Sequence, residues 1–365
     1  MNILTLRIFQ KYILNKIIKV VSFALVTIVF SLGNINAQII GDSMYVPLFQ
    51  SEEMLELRLE ADFKTVFSVF DDSTYFPATI TFIDNSGIYR NVVIKIRTRG
   101  NARRDKDICS FTPLRLRFPK KMINNTVFDG QRSIKLVTHC QKAIVNEQNI
   151  ILEYLIYKAF NILTDSSFRV RQANINYVYE GKKKDSTQKF AFFIEHDKHL
   201  TQRLNGIELE SIKIHPTRLN DYHSCMVDMF QYMIGNLDYS SYELHNIKLI
   251  VDRFNNFPPI AIPYDFDMCG LVKPGYAIPH PQFDVQSVTD RVYRGFKKDK
   301  VVLDSTIAIF NRKKGEIYKL FDDCKLLKKG ERKRVINYLD KFYKTINDEQ
   351  LVQLEFIDKA RVMHN

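Results

Sequence analysis

The chain has 365 residues, 45% of them hydrophobic, with a net charge of +12, a length that buries a full core as one large domain or two intimate lobes. The charge favours an anionic partner such as phosphate, lipopolysaccharide or nucleic acid. The five cysteines, Cys109, Cys140, Cys225, Cys269 and Cys324, are odd in number and widely spaced, which argues against a disulfide framework or a zinc motif and reads as mostly buried thiols.

The first 37 residues carry Arg7, Lys11, Lys16 and Lys19 but no acid, and then an apolar run over 20–32. This is the basic region and apolar region of a secretory signal peptide, with cleavage expected after Ala37. The competing reading is a retained anchor, for which the run is shorter than the roughly 20 residues that span a bilayer. Cleavage would leave 49 basic against 41 acidic residues, a net charge of +8 over 328 residues. No Cys follows the run to take a lipid, and no later segment is apolar enough to span a membrane.

Residues 38–52 read as a leader. Period-two alternation over 55–61, 77–84, 91–99 and 114–118 then predicts half-buried strands, with a turn at Asn85-Ser-Gly87. Beyond Asn146, a candidate cap, the apolar stripe Ile151, Leu152, Leu155, Ile156, Ala159 and Phe160 predicts a helix. Strands over 173–179 and 190–195 flank a charged hairpin tip at 180–185. Met226, Met229, Phe230, Met233 and Ile234 mark a second helix, broken at Gly235-Asn236, and charged amphipathic helices follow from about 302, one of them over 331–346. The order is a strand-rich part followed by a helix-rich part, with no linker and no internal repeat.

Two constellations carry chemistry. Lys95, Arg97 and Arg99 share one face of their strand, as do Arg115 and Arg117 of theirs. Neighbouring strands would line up five cations, which fits either a solvated sheet face or a site for a polyanion. The second is Gly235-Asn-Leu-Asp238, then Asn246, then Tyr264-Asp265-Phe-Asp267 after an apolar strand. An Asp and a carboxamide on one loop with an Asp at a strand end suit a divalent cation and a transferring phosphoryl group; two ordinary turns fit the same letters. Other motifs fall away. Asp265-x-Asp267-x-x-Gly270 begins like a calcium loop but has Tyr276 at its twelfth position. His196 and His199 lack zincin spacing, and hydrolase-elbow, P-loop and dinucleotide-binding fingerprints are absent from the sequence. Nucleic-acid binding needs aromatics among the cations, and Phe111 and Phe118 are a thin case for it.

Taken together, Arg97-Thr-Arg-Gly-Asn101, the basic strand at 113–118, the helix from Asn149, the segment 190–196, Gly235-Asn-Leu-Asp238 and Tyr264-Asp-Phe-Asp267 resemble the CotH-type protein kinase family over roughly 55–270. The resemblance implies an α+β, two-lobed atypical protein-kinase-like fold, with an antiparallel-sheet N-lobe at about 53–200 and a mainly helical C-lobe at about 201–365. It implies ATP and Mg²⁺ or Mn²⁺ as cofactors, Asp238 positioning the acceptor hydroxyl, and Asn246, Asp265 and Asp267 on the metal. Arg97, Arg99, Arg115 and Arg117 would meet the nucleotide phosphates, Arg115 or Arg117 foremost. Glu195 would border the adenine and Glu153 would orient one of the strand cations. The sequence departs from the family at 101–110, which replaces a shorter turn, at Thr112, where Lys is common, and in the eight-residue gap from Asp238 to Asn246. The activity expected is phosphoryl transfer from ATP to a hydroxyl of an exported protein or glycan by a monomer; the alternative is an inactive envelope module that binds an anionic glycan or protein.

Overall fold

The computed structural model describes residues 46–363 other than 70, 72, 85, 101, 142, 143, 181–185 and 256. The expected signal peptide and most of the 180–185 tip lie outside the described residues. β1 (Leu55–Ala61), the short α1 (Phe63–Val66), β2 (Phe76–Ile83), β3 (Tyr89–Thr98), β4 (Leu114–Arg117) and β5 (Ser133–Val137) come first. α2 (Ile144–Leu163), β6 (Val170–Tyr179) and β7 (Ser186–Ile194) follow. The seven strands pair in the order β1-β2-β3-β4-β5-β7-β6 and close into a barrel. Six of the seven pairings are antiparallel; the seventh, β6 on β1, is parallel from Leu55↔Ala173 to Ala61↔Tyr179.

This closed barrel replaces the expected N-lobe of a two-lobed kinase-like fold. Alternation tells which side of a strand faces the core, but it carries no sign that the first and a late strand will meet. Here that pairing joins residues as far apart as Glu56 and Asn174, 118 positions along the chain. Closure leaves no unpaired edge. Leu59, Ile80, Ile94, Ile96, Leu116 and Phe193 fill the interior. Val46 and Leu48, in the stretch expected to be a leader, are buried in the same core, so the folded part begins before residue 53. The helix stripe is where it was expected, but α2 already runs through Asn146 instead of starting from it.

The helical part continues with α3 (Asp197–Arg203), β8 (Gly206–Glu208), α4 (Asp221–Ile234), β9 (Ile247–Asp252) and β10 (Ile260–Pro263). It ends with α5 (Lys300–Asp322), α6 (Lys329–Ile346) and α7 (Glu349–Val352), which runs on into one π-helical turn, Gln353–Asp358. β10, β9 and β8 form a small second sheet. Leu152, Leu155 and Ile156 of α2 share one core with Phe190, Phe192 and Ile194 on the outer face of β7 and with Met229, Phe230 and Met233 of α4. The barrel wall is therefore also a wall of the helical core. Among the described residues no helix is long and apolar enough to cross a membrane.

α4 starts where Asn220 Oδ1 accepts the His223 N–H at 3.0 Å. It stops at Gly235, whose φ of +64° suits glycine and where a Cβ would run into the Tyr338 hydroxyl. Cys109 and Cys140 form a disulfide, a correction to the reading of the cysteines as mostly thiols; Cys225, Cys269 and Cys324 are free. Spacing alone gave no hint of the bridge, because the strands between the two cysteines bring them together.

His223 lies in the core with Nε2 2.9 Å from the Ala261 carbonyl oxygen. Burial pushes its pKa from 6.5 down to about 4. Below its unfolded value the unfolded chain takes up a proton that the folded chain refuses, so stability falls as the pH drops through this window. Urea midpoints should show about 2 kcal/mol lost between about pH 7 and 5 in the wild type beyond any loss in His223→Gln; equal losses would show that His223 is not buried neutral.

Candidate functional site

The site grows from one end of the β9–β10 hairpin. Ile247 pairs with Pro263, and the Tyr264 N–H donates to the Asn246 carbonyl at 3.0 Å, so Asn246 and Asp265 emerge side by side. Both are held in the left-handed region, at φ +53° and +61°, a conformation that Asn and Asp tolerate better than most residues. Such backbone outliers concentrate at functional sites. Asn246 Nδ2 donates to the Asp238 carbonyl oxygen at 2.8 Å and to its Oδ2 at 3.0 Å. Asp238 Oδ1 faces His245 Nε2 at 2.7 Å.

Backbone bonds hold the two loops together. The Gly270 N–H donates to the Gly235 carbonyl and the Leu271 N–H to the Ile234 carbonyl, each at 2.9 Å, sewing the segment after β10 to the end of α4. Asn236 Oδ1 accepts the Asp238 N–H at 3.0 Å. Arg294 donates to the Leu237 carbonyl at 2.6 Å. Asp238 and Asn246 are thus joined by side-chain hydrogen bonds at the hairpin end from which Asp265 emerges.

Phe266 anchors the Asp-Phe-Asp segment, its ring 4.7 Å from that of Tyr157 and 5.8 Å from that of Phe230. The Asp265 N–H donates to the Tyr157 hydroxyl at 2.8 Å. Asp267 Oδ2 accepts Arg103 Nε at 2.7 Å and the Tyr276 hydroxyl at 3.2 Å. Arg103 Nη2 donates to Glu153 Oε2 at 2.6 Å. Arg103 and Glu153 are only 6% and 1% exposed. Burial works against the Arg103 charge, but Asp267 and Glu153 together hold its pKa well above the ordinary value. Burial pushes Glu153 up to about 7 against the pull of Arg103. Asp265 is raised by burial and then by the neighbouring Asp267, and among the described residues no side chain donates to its carboxylate.

Opposite lies a basic face of the barrel. Registers Arg97↔Arg115 and Arg115↔Lys135 place three cations in one row across β3, β4 and β5. Strands about 4.8 Å apart crowd those charges together. Arg99 stands just beyond β3, half-buried. It acts electrically on Arg115, Lys135 and Asp265 alike, and among the described residues its guanidinium has no hydrogen-bond or ion-pair partner. Burial, then Arg99 and Arg97, lower the Arg115 pKa, and Arg115 Nε is buried without a partner. Lys135 reaches Asp197 at 3.2 Å and lies 5.4 Å from the Tyr264 ring centre, at the threshold of Asp265.

Not every expected residue takes its expected part. Arg117 is one row farther out, paired with Lys95 and 5.8 Å from the Tyr75 ring centre. Glu153 pairs with Arg103 instead of a strand cation. Asp267 commits one oxygen to Arg103 and Tyr276. Glu195 is buried and committed, Oε2 accepting the Arg169 N–H at 3.1 Å and Arg203 Nη2 at 2.9 Å, while Oε1 accepts Arg203 Nε at 3.1 Å. Arg103 and Lys135 were missed. Lys135 was findable, since Ser133-Ile-Lys-Leu-Val137 alternates like the other strands; Arg103 lies in an irregular segment that gives no periodic signal.

Among the described residues no three His, Cys, Asp or Glu side chains converge as a metal-holding group. No protein-family model matches this chain, and no curated protein sequence matches it.

Arg103→Met should cost about 3–5 kcal/mol in urea unfolding, because it leaves two buried carboxylates without their cation. Adding Glu153→Gln should recover part of that loss. A cost under about 1 kcal/mol would show that the triad does not hold these segments together.

Proposed function

We propose that the chain is an exported phosphotransferase that moves a phosphoryl group from ATP, with Mg²⁺ or Mn²⁺, to a hydroxyl of an envelope protein or glycan. The observation that carries this reading is the meeting of Asp238, Asn246 and Asp265 at one hairpin end, opposite the Arg97–Arg115–Lys135 row. Motif order resembling the CotH-type kinases supports the activity, whereas the barrel lends it nothing. The Cys109–Cys140 disulfide supports an oxidising compartment and so export.

The residues fit a hard cation. Asp265 has a carboxylate without a donor, and the Asn246 side chain uses its Nδ2 in hydrogen bonds, leaving its side-chain Oδ1 open. Mg²⁺ is commonly held by one or two carboxylates plus substrate phosphates, and supplies charge neutralisation there. Asp265 and Asn246 would hold it. Arg99, Arg97, Arg115 and Lys135 would take the phosphate charge. Asp238, fixed by Asn246 and His245, would orient the acceptor hydroxyl and accept its proton at a carboxylate oxygen. A second reading, a non-catalytic module holding an anionic glycan or protein, is favoured by the Arg97–Arg115–Lys135 row, a basic face that can hold an anion without a metal.

Incubation of the full chain with labelled ATP and Mg²⁺ or Mn²⁺ should yield phosphoryl transfer that Asp265→Ala abolishes. Asp238→Asn should lower kcat by roughly 10²–10⁴. Undiminished transfer in Asp265→Ala would sink the site assignment, and a Tm unmoved by millimolar ATP and Mg²⁺ would decide for the second reading.

A further inference from the structure

A cavity of about 680 Å³ opens next to the Asp238 loop, lined by residues 239–242, by Asp228 and by parts of 215–216, 282–296 and 359–361. Its volume falls within the roughly 300–1,000 Å³ of small-ligand sites. It is built from groups of two opposed kinds. Asp228 of α4 accepts the Tyr239 hydroxyl at Oδ1, 3.0 Å, and burial pushes its pKa up to about 6. Two arginines line the same cavity, both near enough to act on the Asp228 charge. Arg294 is fixed, its guanidinium 4.8 Å from the ring centres of both Tyr239 and Phe283. Arg361 lies 4.4 Å from the Phe296 ring centre, is exposed, and among the described residues its guanidinium has no hydrogen-bond or ion-pair partner, its backbone being held by Gly295 and Lys297. Ser241, Tyr242 and Gln282 complete the lining.

We propose that this cavity binds an acidic oligosaccharide, one whose sugar units carry carboxylates. A carboxylate meets the planar fork of Arg361 two-pronged. Sugar hydroxyls donate to Asp228 and bond Ser241 and Gln282, groups that both donate and accept. Tyr242, 44% exposed, offers an aromatic surface to a sugar ring. A bare phosphate would satisfy the arginines but bring no neutral hydroxyls for Asp228, Ser241 and Gln282. A neutral sugar would leave Arg361 unpaired. A ligand with both an anion and several hydroxyls uses both kinds of group. Because Tyr239 and Ser240 follow directly on Asp238, a sugar in the cavity would lie beside the loop that carries the proposed base. Its role as acceptor rests on the phosphotransferase reading; its role as ligand does not.

Isothermal titration calorimetry on the full chain tests this with trigalacturonate, maltotriose and triglutamate as probes. Trigalacturonate should bind, maltotriose should bind at least tenfold more weakly, and Arg361→Ala should weaken trigalacturonate at least tenfold with an unchanged melting curve. Asp265→Ala should bind trigalacturonate like the wild type. No heat with trigalacturonate, equal binding of maltotriose, tighter binding of triglutamate, or an unaffected Arg361→Ala overturns the proposal; the third result would make the site one for acidic peptide. Trigalacturonate binding in a chain that transfers no phosphate supports the site and removes only its acceptor role.

Discussion

Arg103 joins three parts of the chain that lie far apart in sequence: its own segment after β3, Glu153 on α2 and Asp267 after β10. Each partner takes a different nitrogen of the guanidinium, so the planar fork fixes the angle between them, which a point charge such as Lys would not. A single buried cation among Glu153, Asp265 and Asp267 still leaves excess negative charge. Burial, and then the charge of the neighbouring Asp267, keep the Asp265 pKa raised. The segment bearing Arg103 is itself tied down by the disulfide at Cys109 and by the Phe111 N–H, which donates to the Cys140 carbonyl at 3.0 Å. Breaking the triad would thus loosen the barrel, α2 and the Asp265 loop at once.

The two halves of the fold contribute opposite charges. The barrel gives cations because its inward positions are filled by apolar residues, so every second residue of β3, β4 and β5 must face outward. In-register pairing turns that alternation into rows. Repulsion within a row would spread a floppy sheet, but a closed barrel with a packed interior cannot spread. The helical part gives acids from loop ends, where Asp and Asn accept backbone conformations that helices and strands refuse.

Local periodicity made most elements legible. Six of the seven barrel strands, α2, α4 and the C-terminal helices follow from alternation or a helical stripe. Barrel closure did not follow, because β1 and β6 carry no mark of being partners. β5 was overlooked although it alternates, and with it Lys135. Asp238, Asn246 and Asp265 were singled out by turn letters and a strand end, which tell where loops begin but not that these loops meet. Glu195 misled, since a carboxylate at a strand end looks alike whether it faces a ligand or Arg203. Arg103 was invisible, for its partners come from a helix and a loop that only the tertiary fold brings near.

Electrostatics also separates the two functional readings. The Arg97, Arg115 and Lys135 row with Arg99 asks for negative charge, while Asp265 and its neighbours ask for positive charge only a residue or two away from Tyr264. An anionic glycan or protein on the basic face would answer the first need and leave the second, adding another repulsive group near a carboxylate already raised. A nucleotide phosphate carrying a divalent cation answers both together, anion toward the barrel and cation toward Asp265. The charge layout therefore favours a metal-phosphate ligand over a simple polyanion. On the proposed reading as an exported protein, the scarcity of free ATP outside the cytoplasm bears on how often such a site would be filled.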